Sequence, residues 1–216
     1  MAQTQQISEI DIQKFKVAGA VRNQHGGFVW PITYESMKGS PRFQLGGDSV
    51  QLKIPFTPSC FGQEISNRQS LDFAISPWLD DVLQFLAKLD NFIIDHVWNN
   101  VNEFFPKKKF ASKEELQSIY CPILKKNEDF DPLCKTKFNT LTLKVFQINE
   151  EGSKKSDHTC ITSGCLAVPI CQLSKIWVMS NRFGATLTTE ACMVWPKKDK
   201  DIQELFVTDM MKSVIS

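Results

Sequence analysis

From about residue 139 to residue 195, apolar and polar side chains alternate in one short run after another. No other feature constrains the fold as much. A strand turns successive side chains to opposite faces. Thr140, Thr142, Lys144 and Phe146 alternate with Leu141, Leu143 and Val145. The leucine–valine face calls for a core, and the other sets a cation beside an aromatic ring. The arrangement recurs at Lys175 and Trp177, set against Ile176 and Val178, and the adjoining turn adds Arg182 and Phe183. An open sheet face of this kind suits a single-stranded nucleic acid, whose bases stack on rings and whose phosphates pair with cations. The competing reading buries Phe146 and Trp177 beneath a second layer, since large aromatics usually pack inside. At least one of the two is expected to be core.

The strands expected in this region cover about 139–149, 157–170, 173–179 and 183–195, with turns at Glu150-Glu151-Gly152-Ser153 and Ser180-Asn181-Arg182. Upstream, Lys14 to Val21 reads as a first strand, followed by a hairpin turn at His25-Gly26-Gly27. Phe28, Trp30, Ile32 and Tyr34 then share one face, and Pro31 among them predicts an edge strand or a bulge. Val50 to Phe56 and Ser70 to Ile75 are further strands. A proline-punctuated turn through Pro58 and Gly62 follows the first of them.

Ser76-Pro77 opens the clearest helix: a cap residue, proline at the first helical position, then Asp80 and Asp81 in the first turn. Leu79, Val82, Leu86, Leu89 and Ile93 form a stripe that Leu83, Phe85, Phe92 and Trp98 widen, so this helix packs on a sheet or a second helix. It is expected to run to about Phe104, before Pro106. Ser112 to Glu115 starts a short capped helix that ends before Pro122. Leu124 to Lys137 reads as charged and irregular, and Asp201 to Val214 as an amphipathic terminal helix. The sum is an α+β protein with an antiparallel β core of about seven strands. That set fits a small OB-like barrel, with a long central helical insertion (about 77–120) and a C-terminal helix. The 216 residues make one domain.

Net charge is only +1, which excludes a protein coated in basic charge but leaves room for a local basic path. Charge is unevenly spread. From Pro77 to Phe104, Asp80, Asp81, Asp90, Asp95 and Glu103 face one base, Lys88. From Lys107 to Lys155 there are eleven lysines and seven acids, with Lys107-Lys108-Lys109 the densest run. The candidate nucleic-acid contacts are therefore Lys107, Lys108, Lys109, Lys144, Phe146, Lys175, Trp177, Arg182 and Phe183.

Seven cysteines without an apolar leader indicate free thiols in a reducing, intracellular setting, and no apolar run is long enough for a membrane span. His158, Cys160, Cys165 and Cys171 lack the second tight pair that a zinc site needs, so no metal or cofactor is expected. No phosphate loop, nucleophile elbow or zinc-protease helix motif is present. Asp80 and Asp81 suit a helix dipole better than a metal, and His96 reads as structural. The chain is not expected to be an enzyme.

Four stretches, in order, resemble the single-stranded-DNA-binding proteins encoded by nucleocytoplasmic large DNA viruses. They are Leu52-Lys53-Ile54-Pro55-Phe56 leading to Phe61-Gly62; Leu89-Asp90 with Phe104-Phe105-Pro106-Lys107; Tyr120-Cys121-Pro122-Ile123 leading to Lys135-Thr136-Lys137-Phe138; and Val168-Pro169-Ile170, Ile176-Trp177 and Arg182-Phe183-Gly184. The resemblance implies an OB-like fold and the coating of unwound DNA in replication, recombination or repair, in host cytoplasm or nucleus. RNA stays open as an alternative strand, and replication proteins and further copies of the chain as partners. The alternative from another class is a non-enzymatic protein-interaction or structural adaptor that uses the acidic helix and the aromatic sheet.

Overall fold

The computed structural model describes residues 4–23, 26–35, 37, 39–47, 49–59, 67–126 and 128–197. The expected C-terminal helix and the Phe61-Gly62 turn lie outside them. The first strands are β1 (Gln5–Gln6), β2 (Phe15–Val17), β3 (Val21–Arg22), β4 (Phe28–Tyr34), β5 (Arg42–Gln44), β6 (Leu52–Lys53) and β7 (Arg68–Ala74). Helices α1 (Asp80–Asn99), α2 (Val101–Phe104) and α3 (Lys113–Ser118) follow. Then come β8 (Tyr120–Cys121), β9 (Leu124–Lys125), β10 (Leu133–Asn139), β11 (Lys144–Asn149), β12 (Gly152–Ser156), β13 (Leu166–Met179) and β14 (Arg182–Trp195).

The sheet is mixed, not purely antiparallel as expected. β14 takes β8, β10 and β11 as parallel neighbours. Its long antiparallel partner is β13, closed by a two-residue turn in which Ser180 adopts φ +56°. Along its other edge β13 pairs in turn with β6, β5 and β4. β6 pairs with β7, β7 with β10, and β10 with β14. The pairings β13–β6–β7–β10–β14–β13 therefore form a closed circuit, in which β6 meets β7 at the single pair Lys53–Ala74 and β10 meets β14 at the single pair Lys137–Thr188. Its interior is filled by Leu52, Leu71, Phe73, Cys134, Phe138, Leu173 and Val194, each at most 1% exposed, and by Thr136 and Thr189, whose hydroxyls lie 2.8 Å apart.

Several sequence expectations are corrected. Residues 140–143 form a turn, with Leu143 N–H donating to Asn139 O, so Leu141 is exposed and faces no core. The span 124–137 is not irregular. Its Cys134, Thr136 and Phe138 alternate inward on β10, a pattern that the intervening lysines conceal. Pro31 is not on an edge strand: β4 is paired on both sides, and Pro31 falls in the gap between β2 and β3. Ser76 does not cap α1 and Pro77 is not its first residue. Leu79 occupies the N-cap without a side-chain hydrogen bond.

The apolar stripe of α1 is buried at the expected Val82, Phe85, Leu86, Leu89 and Ile93; Ile94 and Val97 join them, while Leu79, Leu83, Phe92 and Trp98 are half-buried. Each full burial contributes roughly 1.5–3 kcal/mol, an upper bound set against an extended unfolded chain. The helices pack on the inner side of the sheet. Phe85 meets Phe43 at 4.9 Å, Phe92 meets Phe15 at 5.5 Å, and Phe104 stacks on Trp30 at 4.1 Å between ring centroids. Asp90 fastens the following segment to α1. Its carboxylate accepts from the Tyr120 hydroxyl (2.5 Å), Ile123 N–H (2.9 Å) and Leu124 N–H (3.2 Å). Burial nevertheless raises its pKa against these three bonds. None of the described helices is long and apolar enough to cross a membrane.

Candidate nucleic-acid interface

Which side chains leave the core is decided by two bulges in the β13–β14 hairpin. Ile170 pairs with Ala191 but Cys171 with Thr189, so Glu190 is an extra residue on β14. Leu173 pairs with Leu187 but Lys175 with Thr186, so Ser174 is an extra residue on β13. Each bulge flips the alternation of its strand. Before the bulge on β13, Cys171 and Leu173 face inward; beyond it Ile176 does, and Lys175 and Trp177 face out. On β14, Phe183 and Leu187 face inward, then Cys192 and Val194, so that Met193 and Trp195 face out.

Cross-strand partners share a face. Phe146 lies opposite Met193 on one side and Lys155 on the other, and Lys144 lies opposite Ala191. Trp195 pairs with Leu166, and Leu166 with Lys53. One end of the outer face thus carries Phe146, Met193, Trp195 and Leu166, bordered by Lys144, Lys155 and Lys53. Phe146 is 38% exposed, all three lysines are exposed, and Met193 and Trp195 are half-buried. The loop at Gly46 closes one margin against Val168. Its φ of +86° and the Val50 carbonyl, 2.3 Å from where a Cβ would stand, require glycine there.

The hairpin tip is the other end of the same face. Trp177 lies opposite Gly184, and a Cβ on Gly184 would come within 2.7 Å of the indole and 2.9 Å of Cys121 O. The missing side chain lets the indole lie down on the sheet, where it stays half-buried. Lys175 is its neighbour on the strand, and Arg182, opposite Met179, is exposed beyond it. Neither Phe146 nor Trp177 belongs to the buried core.

Phe183 does belong to it, which corrects its place among the stacking candidates. It is fully buried, with Tyr120 at 5.0 Å and Phe105 at 6.0 Å. Lys107, Lys108 and Lys109 follow Phe105, whose ring packs on Phe183 under the hairpin tip. Lys108 spends its charge over the Phe110 ring at 4.8 Å. The sequence reading passed over Trp195, Lys155 and Lys53, and also an exposed Arg22–Phe28 pair at the β3–β4 hairpin (5.8 Å).

The electrostatics are one-sided. Within the strands β10 to β14 the one acid is Glu190, against Lys135, Lys137, Lys144, Lys154, Lys155, Lys175 and Arg182, while Glu150, Glu151 and Asp157 flank β12 in its turns. Glu190 is occupied, because Arg42 reaches it through Nε (2.5 Å) and Nη2 (3.3 Å). Four further acids, Asp80, Asp81, Asp90 and Asp95, sit on α1. The thiols offer no comparable chemistry. Cys134, Cys171 and Cys192 are buried, and burial pushes Cys171 up to about 12 and raises the other two. Among the described residues no three His, Cys, Asp or Glu side chains are grouped to hold a metal.

The sequence matches no protein-family model and no curated protein. Among solved structures the chain is similar to the single-stranded DNA-binding protein from bacteriophage Enc34. A C-terminally truncated form of that protein aligns with 88% of this chain and 98% of its own, at 16% identity and a TM-score of 0.41. The same protein in complex with single-stranded DNA aligns with 86% of this chain and 97% of its own, at 16% identity and a TM-score of 0.40. Likeness at this level fixes neither fold nor function.

Proposed function

We propose that this protein is a non-enzymatic, sequence-tolerant binder of single-stranded DNA that uses the outer face of the β13–β14 hairpin and β11. The observation that carries the reading is the composition of that face: Phe146, Trp195 and Trp177 stand among lysines, and the one acid within strands β10 to β14, Glu190, is held by Arg42. Every base has a π-face, so rings attract strands of any sequence, and lysines hold the phosphates between stacked bases. In this reading the closed five-strand circuit is an OB-like barrel, and the whole chain is one binding domain with α1–α3 as its insertion. A role in viral DNA replication, recombination or repair follows the resemblance in the sequence, and replication proteins or further copies of the chain would act alongside.

The test is fluorescence anisotropy with labelled oligo-dT at two salt concentrations, with duplex DNA and oligo-U as competitors. Binding that weakens with salt and that duplex competes for poorly supports the proposal. Absence of binding at low salt overturns it, and equal competition by oligo-U moves it from DNA to single strands in general. The adaptor reading keeps one observation of its own. Trp78 is 80% exposed beside a groove lined by Ile7, Val50 and Leu79, on the side where α1 begins.

A further inference from the structure

We infer that the outer face holds two separate stacking stations, and that tight binding requires a strand long enough to occupy both at once. This rests on the single-strand reading above and adds to it a length threshold and a division of labour along the strand.

The first station is Phe146 and Trp195, with Lys144 and Lys155 beside them. The second is Trp177 on Gly184, with Lys175 and Arg182. Between them the outward residues of the hairpin are Ile170, Gln172, Thr186, Thr188 and Ala191, together with the Arg42–Glu190 pair. None of these is aromatic, and the ion pair spends the one arginine there. Lys137, which pairs with Thr188, is the exposed cation of this middle stretch. The middle can hold a phosphate but gives a base nothing to stack on.

Register sets the separation. Val168, opposite Met193 in the first station, is nine residues from Trp177 along β13. At about 3.3 Å per residue that is at most roughly 30 Å, and the bulges shorten it. A stacked strand advances about 3.4 Å per nucleotide, so about nine nucleotides cover the gap, and fewer if the strand is extended. An oligonucleotide below this span engages one station. A longer one engages the second as an intramolecular event, at an effective concentration that multiplies affinity by about 10²-fold or more.

The experiment is anisotropy of the full chain with an oligo-dT series from three to fifteen nucleotides. A second probe set consists of twelve-nucleotide strands carrying abasic spacers either in the middle four positions or at both ends. The expected result is a steep rise in affinity between about four and nine nucleotides. Middle spacers should cost less than about threefold, and end spacers at least tenfold. Trp177→Ala should flatten the rise, so that twelve-nucleotide strands bind it little tighter than the shortest strands do. The spacer probes need no variant, so they decide the matter even if Trp177→Ala fails to fold. A smooth increase per nucleotide, or equal cost for middle and end spacers, overturns the two stations while the single-strand reading stands. If no oligonucleotide of any length binds, both fall.

Discussion

Phe146 and, in reserve at the adjoining turn, Phe183 are both stacking candidates in the sequence, and truncating each to alanine separates the two roles that the structure gives them. Phe183 is fully buried against Tyr120 and Phe105. Phe183→Ala should cost about 3–5 kcal/mol, the transfer term plus the cavity left behind. For a chain of this size 1 kcal/mol moves the melting temperature by about 2–4 °C, so the loss should be roughly 6–20 °C. Phe146 keeps 38% of its surface in solvent. Full burial of such a ring contributes about 1.5–3 kcal/mol, so its partial burial contributes about 1–2 kcal/mol, or a few degrees. Its loss should instead weaken single-strand binding by about 1–3 kcal/mol, the range for one lost base stack, or roughly 5- to 150-fold. Differential scanning fluorimetry and oligo-dT anisotropy on the same preparations read both quantities, with affinity corrected to the folded fraction. The reasoning is refuted if Phe146→Ala melts as early as Phe183→Ala and its folded fraction binds normally. It is equally refuted if Phe183→Ala stays stable and loses affinity.

Three other outcomes are expected. If four lysines each meet a phosphate, the logarithm of the binding constant should fall with the logarithm of salt at a slope of about 2.8, and a flat response would remove the lysine contacts. Asp72 is half-buried beside Lys135, with one carboxylate oxygen buried and unpartnered, and burial raises its pKa above the ordinary carboxylate range. The native state therefore holds that proton more tightly than the unfolded chain, and stability falls as pH rises from the usual carboxylate pKa through the raised one. Urea unfolding of Asp72→Asn should show a shallower fall over that window, and an unchanged slope would show that Asp72 titrates as if unfolded. Native protein treated with iodoacetamide at pH 8 should be alkylated at half-buried Cys121 and spared at buried Cys134, Cys171 and Cys192, as read by peptide mass spectrometry. Fast alkylation of Cys171 would contradict its burial.

Much of the fold was legible because local rules and tertiary packing agree. The α1 stripe buries five of the residues its spacing named, Val82, Phe85, Leu86, Leu89 and Ile93, and the β3–β4 hairpin turns through Gly26 at φ +80° as its glycines indicated. β10 was missed because three inward residues are interleaved with lysines, so the segment reads as a charged loop. The limits of the site were set by something less visible. Straight alternation along β14 would put Trp195 on the same side as Phe183, and along β13 it would put Trp177 with Leu173. Only the extra residues Glu190 and Ser174 send the two tryptophans outward. Neither bulge contains a glycine or any other local mark. The sequence therefore put Trp177 forward with Phe183 in reserve, passed over Trp195, and had no means of deciding among them.

The same bulges explain how a chain of net charge +1 can present a basic face. Charge matters by where it lies, not by its sum, since an exposed charge is felt over about 8–10 Å at physiological ionic strength. Asp80 and Asp81 lie at the start of α1 beside Gly46 and Gly47, Asp90 is tied to Tyr120, Asp95 pairs with Lys113, and the one acid within strands β10 to β14 is a bulge residue already joined to Arg42. Removing the Glu190 carboxylate would free that arginine onto the middle of the outer face. Glu190→Gln should therefore steepen the salt dependence of single-strand binding by about 0.7 in slope, one further phosphate. It should also lower stability, by about 1–3 kcal/mol, because it breaks a half-buried charged hydrogen bond. An unchanged slope with the same loss of stability would mean that no strand crosses the middle of the hairpin, and the path from Phe146 to Trp177 would have to be abandoned.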